Sequence, residues 1–383
     1  MKQITICKIK QKLNRAIKLR YNAFLKYREF RNDKNYNIRA VDKGFKDRRI
    51  LGCNDTKILT RIIKAYNLAK EAQNNAGPSF RPSNEWLPIY EAHLGEIISI
   101  LKDRNINKLR EKYINFFRES CSAGLHGLPI DMNKYYFGGR INKFSRLLIL
   151  NDTIHRYRLW KKMLGNEFDV RQLAAPLIGN PYGIYIDGTL INCGFYQHYY
   201  AVQIARLCKE MKNAKILELG GGYGGMAYFL IRDNENIRYL DFDLPENAAL
   251  TAYYLLTAFP EKKVLLFGED ELSIDAIENN SIIIMPSFEC TKLPDRSIDL
   301  AFNSYSLAEM SPETVETFIF EFMRIVRNYI LHVNHNSNSV VVADEFGIDP
   351  SKYDLLHKKK ALWNLGINPN MDEYEYLYQR IER

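Results

Sequence analysis

The sequence predicts an α/β fold: a doubly wound, mainly parallel sheet with an antiparallel last strand over residues 176–383, behind a mostly helical region over residues 1–175. Three observations predict it. After about residue 176, short Val/Ile/Leu-rich runs alternate with helical segments of ten or more residues, the pattern of parallel strands joined by crossover helices. A glycine cluster, ILELGGGYGG at 216–225, stands between the first such run and a helix. The chain closes on DEYEYLYQRIE, whose alternating aromatic and charged residues suit a final antiparallel strand.

The elements follow in order. KILTRIIKAYNLAKEAQNN, residues 57–75, has helical apolar spacing and stops at Gly77-Pro78; three prolines then break PSFRPSNEWLP. WLPIYEAHLGEIISILKDRN and INKLREKYINFFRESCSAGLHG predict two helices, the second ending near Gly124–Gly127, and INKFSRLLILNDTIHRYRLWKKML a third. GNPYGIYIDGTLI reads as a turn and a short β element, and FYQHYYAVQIARLCKEM as a helix. Then come AKILELG, GGMAYFLIRD, IRYLDFD and PENAALTAYYLLTAF. KKVLLFG, SIIIMPS, SIDLAFN, the helix PETVETFIFEFMRIVRN and YILHVNH complete the domain. KKVLLFG is one strand-like run more than the site needs.

A chain of 383 residues with 46% hydrophobic content can fill a sizeable core. MKQITICKIKQKLNR carries lysine throughout and has no apolar signal region, and no stretch reaches the length of a membrane span. Cys7, Cys53, Cys121, Cys193, Cys208 and Cys290 form no CxxC pair or dense framework, so reduced thiols and a cytoplasmic location are expected. The net charge of +9 is uneven: residues 1–50 hold 16 Lys and Arg against 4 Asp and Glu, so the basicity belongs to one end. In LNRAIKLRYNAFLKYREF, Leu13, Ile17, Phe24 and Leu25 recur at roughly helical spacing with cations between them. Such a helix packs its stripe on its own protein or lies on an acidic surface such as the inner membrane face; the first arrangement is the commoner and is expected here.

A glycine-rich turn from strand to helix brings a ligand to backbone N–H groups, and by itself it suits either a dinucleotide or another nucleoside ligand. The spacing Glu218-x-Gly220-x-Gly222-x-Gly224, with Gly221 inside it, places an acid at the strand end. An acid there favours a cationic ligand and repels a diphosphate. The next strand ends in LDFDLPE, with Asp243 19 positions beyond Gly224, where a carboxylate can accept both ribose hydroxyls. Asp241, two residues earlier on the same strand face, is the rival for that role, and Asp243 could alternatively cap the helix at Pro245.

These motifs, with NFFRESCSAGL, LIGNPYG, QHYYA, DFDLPENAALTAYYL, IDLAFNSYSLAEMSPE and ILHVNHN, resemble the bacterial sugar O-methyltransferases of surface-glycan biosynthesis, within the class I S-adenosylmethionine-dependent methyltransferases. The resemblance covers roughly residues 110–383. It implies a Rossmann-like methyltransferase domain, S-adenosylmethionine as cofactor, and transfer of its methyl group to a hydroxyl of a sugar or glycan, carried on a nucleotide, a lipid or neither. It also implies that Glu218, Gly220, Gly221, Gly222, Gly224 and Asp243 bind the cofactor, the DLP segment favouring Asp243 over Asp241. By the same analogy Phe288 and Glu289, after SIIIMPS, line the adenine, with Asn303 beside the cofactor.

An alcohol needs a base to take its proton. Loops at the carboxyl ends of strands supply His335 as first choice, because imidazole titrates near working pH, and Glu309 as second. Glu309 could instead cap the helix at Pro312, and His335 could be an ordinary loop residue. His198 and Tyr199, with Tyr305, are expected to meet the substrate, although an aromatic stripe such as HYY more often belongs to a core. No metal requirement is expected: Asp299 lies within a strand and Asn303 stands where an acidic ligand would be placed. A nicotinamide-dependent sugar dehydrogenase or epimerase is the alternative, less suited to Glu218. A nucleic-acid methyltransferase would use the basic first fifty residues, but SIDLAFNSYS lacks an Asn/Asp-Pro-Pro-aromatic motif, and no nucleic-acid partner is expected.

Overall fold

The computed structural model describes residues 17–50, 55–82, 86–125, 141–192, 194–337, 339–366 and 370–382. Its first part is helical. A helix covers 17–30, followed by α1 (Ile38–Gly44), α2 (Thr56–Gln73), α3 (Gly95–Lys102), α4 (Ile106–Tyr113) and α5 (Lys143–Leu164). Asn142 caps α5 by accepting from the Ser145 N–H, and Gly165 ends it at φ 98°. The single helix expected over 106–127 stops at Tyr113. Beyond it the chain makes two 3-10 turns, Phe116–Arg118 and Ser120–Ser122, held where the Phe117 N–H donates to the Gly179 carbonyl and the Ser122 hydroxyl to the Phe116 carbonyl.

A hairpin, β1 (Ile184–Ile186) and β2 (Thr189–Ile191), turns through Asp187 and Gly188, both at positive φ, and leads into α6 (Phe195–Leu207). The chain then alternates through β3 (Ala214–Leu219), α7 (Gly225–Asp233), β4 (Ile237–Asp243), α8 (Pro245–Ala258), β5 (Val264–Leu266), α9 (Ile274–Asn279), β6 (Ile282–Pro286) and β7 (Ile298–Ser304). It closes with α10 (Pro312–Ile325), β8 (Val326–His335), β9 (Tyr353–Lys360) and β10 (Glu373–Arg380). The eight strands stand in the order β5-β6-β4-β3-β7-β8-β10-β9. All neighbours from β5 to β8 are parallel, and β10 is inserted antiparallel between β8 and β9. This is the Rossmann-like sheet with an antiparallel last strand that the sequence predicts.

Alternation along the strands builds a core on each face. Ile216, Tyr239, Leu300 and Phe302 face one core, which also contains α2, α5, α6 and α8 residues; Leu217, Leu240, Ala301 and Ile330 face the other, under α10. The N-terminal helices and the sheet thus share one hydrophobic cluster. Glu246 at the start of α8, only 4% exposed, is satisfied by N-terminal groups: the Tyr66 and Tyr90 hydroxyls donate to it and Lys70 pairs with it at 2.9 Å. The additional run KKVLLFG forms edge strand β5. Arg61 of α2 covers it, donating to the Val264 carbonyl and pairing with Glu269 at 2.7 Å, which shields an otherwise open sheet edge.

The helix at 17–30 departs from expectation. Ala23 and Phe30 are buried, but Ile17, Phe24 and Leu25 lie exposed, so the stripe faces away from the protein. Leu13, Cys7, Cys53 and Cys193 lie outside the described residues. Cys121, Cys208 and Cys290 are buried free thiols. Among the described residues no helix is long and apolar enough to cross a membrane.

Candidate functional site

The carboxyl ends of β3, β4 and β7 open into a cleft of about 1090 Å³ continuous with solvent, at the centre of the parallel sheet. Its floor is the glycine loop. Gly220, Gly222 and Gly224 hold φ of 78°, 66° and 86°, a left-handed backbone that costs other residues energy. Gly221 is required by close approach, because a Cβ there would stand 2.4 Å from the Asp241 carboxylate. The loop is pinned from β4: the Gly220 N–H donates to the Phe242 carbonyl, the Gly221 N–H to Asp241 at 3.2 Å and the Gly222 N–H to Asp243 at 3.1 Å.

Three carboxylates converge here. Glu218, Asp241 and Asp243 are 3%, 0% and 6% exposed. Burial pushes Glu218 up to about 7, against a hydrogen bond from the Tyr239 hydroxyl and with help from the charge of Asp243. Burial likewise raises Asp243 to about 6, despite donors from Asn247, Leu244 and Gly222. Asp241, raised well above the carboxylate range by burial and by both neighbouring acids, has one oxygen without a partner. The main contributions to the environment of the three come from burial, neighbouring acids and neutral hydrogen-bond donors, and none of these is a cation. Buried acids without a counter-charge are costly, so this end of the cleft is prepared for a positive ligand.

Position separates Asp243 from Asp241. Asp243 borders the cleft, and three of its roughly four acceptor sites are taken, which leaves room for a ligand hydroxyl. Asp241 lies beneath the loop and supports Gly221. Glu218, Gly220, Gly221 and Gly222 border the cleft directly, while Gly224 serves as the N-terminal cap position of α7.

Other predicted residues lie elsewhere. Ser287 borders the cleft, but the Phe288 ring packs edge-on against Phe267 and Glu289 pairs with Lys292 at 2.7 Å. Buried Asn303 ties three strand ends together: it donates to the Leu219 carbonyl and the Ser306 hydroxyl and accepts from Asn334. On α6, Tyr196 and Gln197 form cleft wall, and the helical rotation of about 100° per residue turns the following positions inward. His198 accepts from the Trp160 indole at 3.2 Å among aromatic rings, and burial lowers it to about 4; the Tyr199 hydroxyl meets Lys359. Both are core residues and not cleft residues.

The far wall comes from β7 and from the N-terminal region. Tyr305, a non-glycine residue at φ 66°, borders the cleft, and its hydroxyl donates to Glu373 at 3.2 Å. His335 lies behind it, 5.3 Å from the Tyr305 ring centre and 3.5 Å from Glu373. His332 is a core residue stacked on Tyr376, lowered to about 3 by burial. Glu309 borders the cleft and accepts from the Trp86 indole at 3.0 Å. Gln197 and Ser304, two further wall residues, each carry a buried polar side-chain atom without a partner. Trp86, Gln197 and Ser304 escape sequence reasoning; only the position of Ser304 at the strand end, beside Asn303 and Tyr305, carries a signal. Among the described residues no group of three or more His, Cys, Asp or Glu is placed to hold a metal ion. Asp299 lies at the opposite end of β7, beside Arg327 and Asn328.

No protein-family model and no curated protein matches the chain. It is similar in structure to a SAM-dependent methyltransferase from Aquifex aeolicus, with TM-score 0.33 and 14% identity over 47% of this chain and 89% of that one. It is also similar to the mitomycin 7-O-methyltransferase MmcR, with TM-score 0.31 and 13% identity over 49% and 55%. At such scores the likeness carries no chemistry across, and the fold stands on the strand order and register.

Proposed function

We propose that the protein is an S-adenosylmethionine-dependent O-methyltransferase that methylates a hydroxyl of a sugar in surface-glycan or polysaccharide biosynthesis. The observation that carries the cofactor is the group of three buried carboxylates around a glycine loop, whose surroundings are dominated by burial, by one another and by neutral donors. A cofactor bearing an ammonium, a sulfonium and a ribose answers each feature. Glu218 and the loop hold its positive end, Asp243 takes a ribose hydroxyl, and Ser287 borders the side where its base would lie. Bound there, it supplies an electrophilic methyl group.

The chain's own part is to bind and aim the acceptor. Tyr196, Tyr305 and Trp86 offer aromatic surface for the apolar face of a sugar ring, while Gln197 and Ser304 gain the partners they lack when they meet its hydroxyls. Glu309 bounds the cleft and is oriented by the Trp86 N–H, so it is placed ahead of His335 as the base that takes the acceptor's proton. Holding oxygen and methyl carbon in near-attack geometry supplies much of the remaining acceleration. The sugar class rests on the family resemblance together with this mixed aromatic and polar wall.

Calorimetric titration with S-adenosylhomocysteine, run beside Asp243→Ala, tests the cofactor. Micromolar binding that the variant weakens at least tenfold, about 1.4 kcal/mol, is expected. Binding of NAD(P) in its place would overturn the reading in favour of a dehydrogenase. Labelled methyl transfer to a panel of free, nucleotide-linked and lipid-linked sugars then tests the acceptor.

A further inference from the structure

The helix at 17–30 presents an apolar stripe to solvent where a surface helix ordinarily presents charge. Ile17, Tyr21, Phe24 and Leu25 are 57%, 61%, 54% and 43% exposed. At 100° per residue the four fall within an arc of roughly 100°. Exposed Arg28 lies within that arc, exposed Arg20 and Arg31 border one side, and exposed Lys18 borders the other. The opposite face fixes the helix to the protein: Ala23 and Phe30 are buried, the Asn151 amide donates to the Ala23 carbonyl, and Arg158 stacks over the Phe30 ring at 4.8 Å. The acid of the helix, Glu29, is paired with Lys26. The helix is thus held to the protein by one face while it offers aliphatic, aromatic and cationic groups on the other.

We infer that this face is a docking surface for an anionic lipid bilayer. The apolar stripe enters the boundary between headgroups and acyl chains, and the flanking cations meet lipid phosphates, which is the division of labour of an interfacial helix. Charge complementarity selects this occupant. A second copy packed stripe to stripe would bring Arg20, Arg28, Arg31 and Lys18 against their own counterparts. A nucleic acid would satisfy the cations but would leave Ile17 and Leu25 in water.

Co-sedimentation of the full chain with large vesicles tests the inference, using phosphatidylcholine alone and an equal mixture with phosphatidylglycerol, each at low and high salt. Binding to the mixed vesicles, weakened at least tenfold by high salt and by Y21E/F24E, is expected; phosphatidylcholine alone should retain little protein. Both substituted side chains are exposed, so an unchanged melting temperature verifies the fold of the variant. Failure to bind mixed vesicles, equal binding to both lipids, or unimpaired binding by the variant would overturn the inference. So would a patch-dependent dimer, or a patch-dependent complex with an RNA oligonucleotide, in the absence of vesicle binding.

Discussion

The two ends of the cleft are built on different plans. At the β3–β4 end the ligand would meet backbone and acids fixed by the fold itself: a loop with glycine at each left-handed position, and carboxylates within two residues of the ends of two adjacent strands. At the β7 end the wall is assembled from side chains brought together across the chain, with Trp86 held to Glu309 across 223 positions and Tyr196 facing Tyr305 at 6.3 Å. The first plan suits a ligand shared by many enzymes, and the second suits an acceptor particular to this one. Substitutions at the two ends should therefore affect different constants.

The largest separation is expected at Glu309. In Glu309→Gln, turnover should fall about 10²- to 10⁴-fold, the usual contribution of a general base, with S-adenosylhomocysteine affinity unchanged. His335→Ala, which alters a residue behind Tyr305, should cost less than about tenfold by the same standard. A reversed order would move the base from the cleft wall to the layer behind it. Asp243→Ala is the mirror experiment, because it should weaken the cofactor analogue at least tenfold while the KM for the acceptor stays within about twofold. Equal effects on both ligands would mean that the cleft is one site and not two.

Trp86 sharpens the comparison further. Trp86→Phe keeps an aromatic ring but removes the N–H donated to Glu309. A hydrogen bond to a charged group contributes about 1.5–3 kcal/mol, so kcat should fall roughly ten- to a hundredfold, with little change in KM. A change confined to KM would show that Trp86 serves as a stacking surface alone.

The same contrast explains what the sequence could reveal. The glycine loop and Glu218 are legible because backbone geometry dictates residue type at fixed spacing. Asp243 is legible because a parallel strand places it beside the loop. Phe288 and Glu289 lie one and two residues beyond the cleft residue Ser287, and His198 and Tyr199 one and two beyond Gln197, so each segment is found but not the face it presents. Trp86 has no local signal, since its role depends on how 86–125 folds over the sheet. Strand β9 was equally hidden: YDLLHKKK, an edge strand with exposed Leu355 and Leu356, has no alternation to mark a buried face. Strand β5 shows the reverse case, a clear run whose purpose becomes visible only with Arg61 of α2 lying across it.

A last effect, on stability and not on turnover, concerns the energetic cost of the acidic end. Native Glu218 and Asp243 titrate near 7 and 6, above their ordinary values of 4.5 and 3.8. A carboxyl with a raised native value binds protons that the unfolded chain has released. Its contribution therefore favours the native state at low pH and is lost as pH rises from about 4.5 through 7. Glu218→Gln preserves an acceptor for the Tyr239 hydroxyl and removes the charge. At pH 8, where native Glu218 is ionised, the variant should gain up to ~3 kcal/mol, seen as a higher melting temperature. At pH 5, where native Glu218 is protonated but the unfolded carboxyl is already mostly ionised, the gain should shrink to about 1 kcal/mol or less. Calorimetric scans at both pH values check this, and an equal gain at each would detach the effect from titration. The stabilised variant should also bind S-adenosylmethionine less tightly, because the unbalanced charge that burdens the empty protein is the charge that a cationic ligand neutralises. Stability gained without loss of affinity would break the link between the buried acids and a positive cofactor.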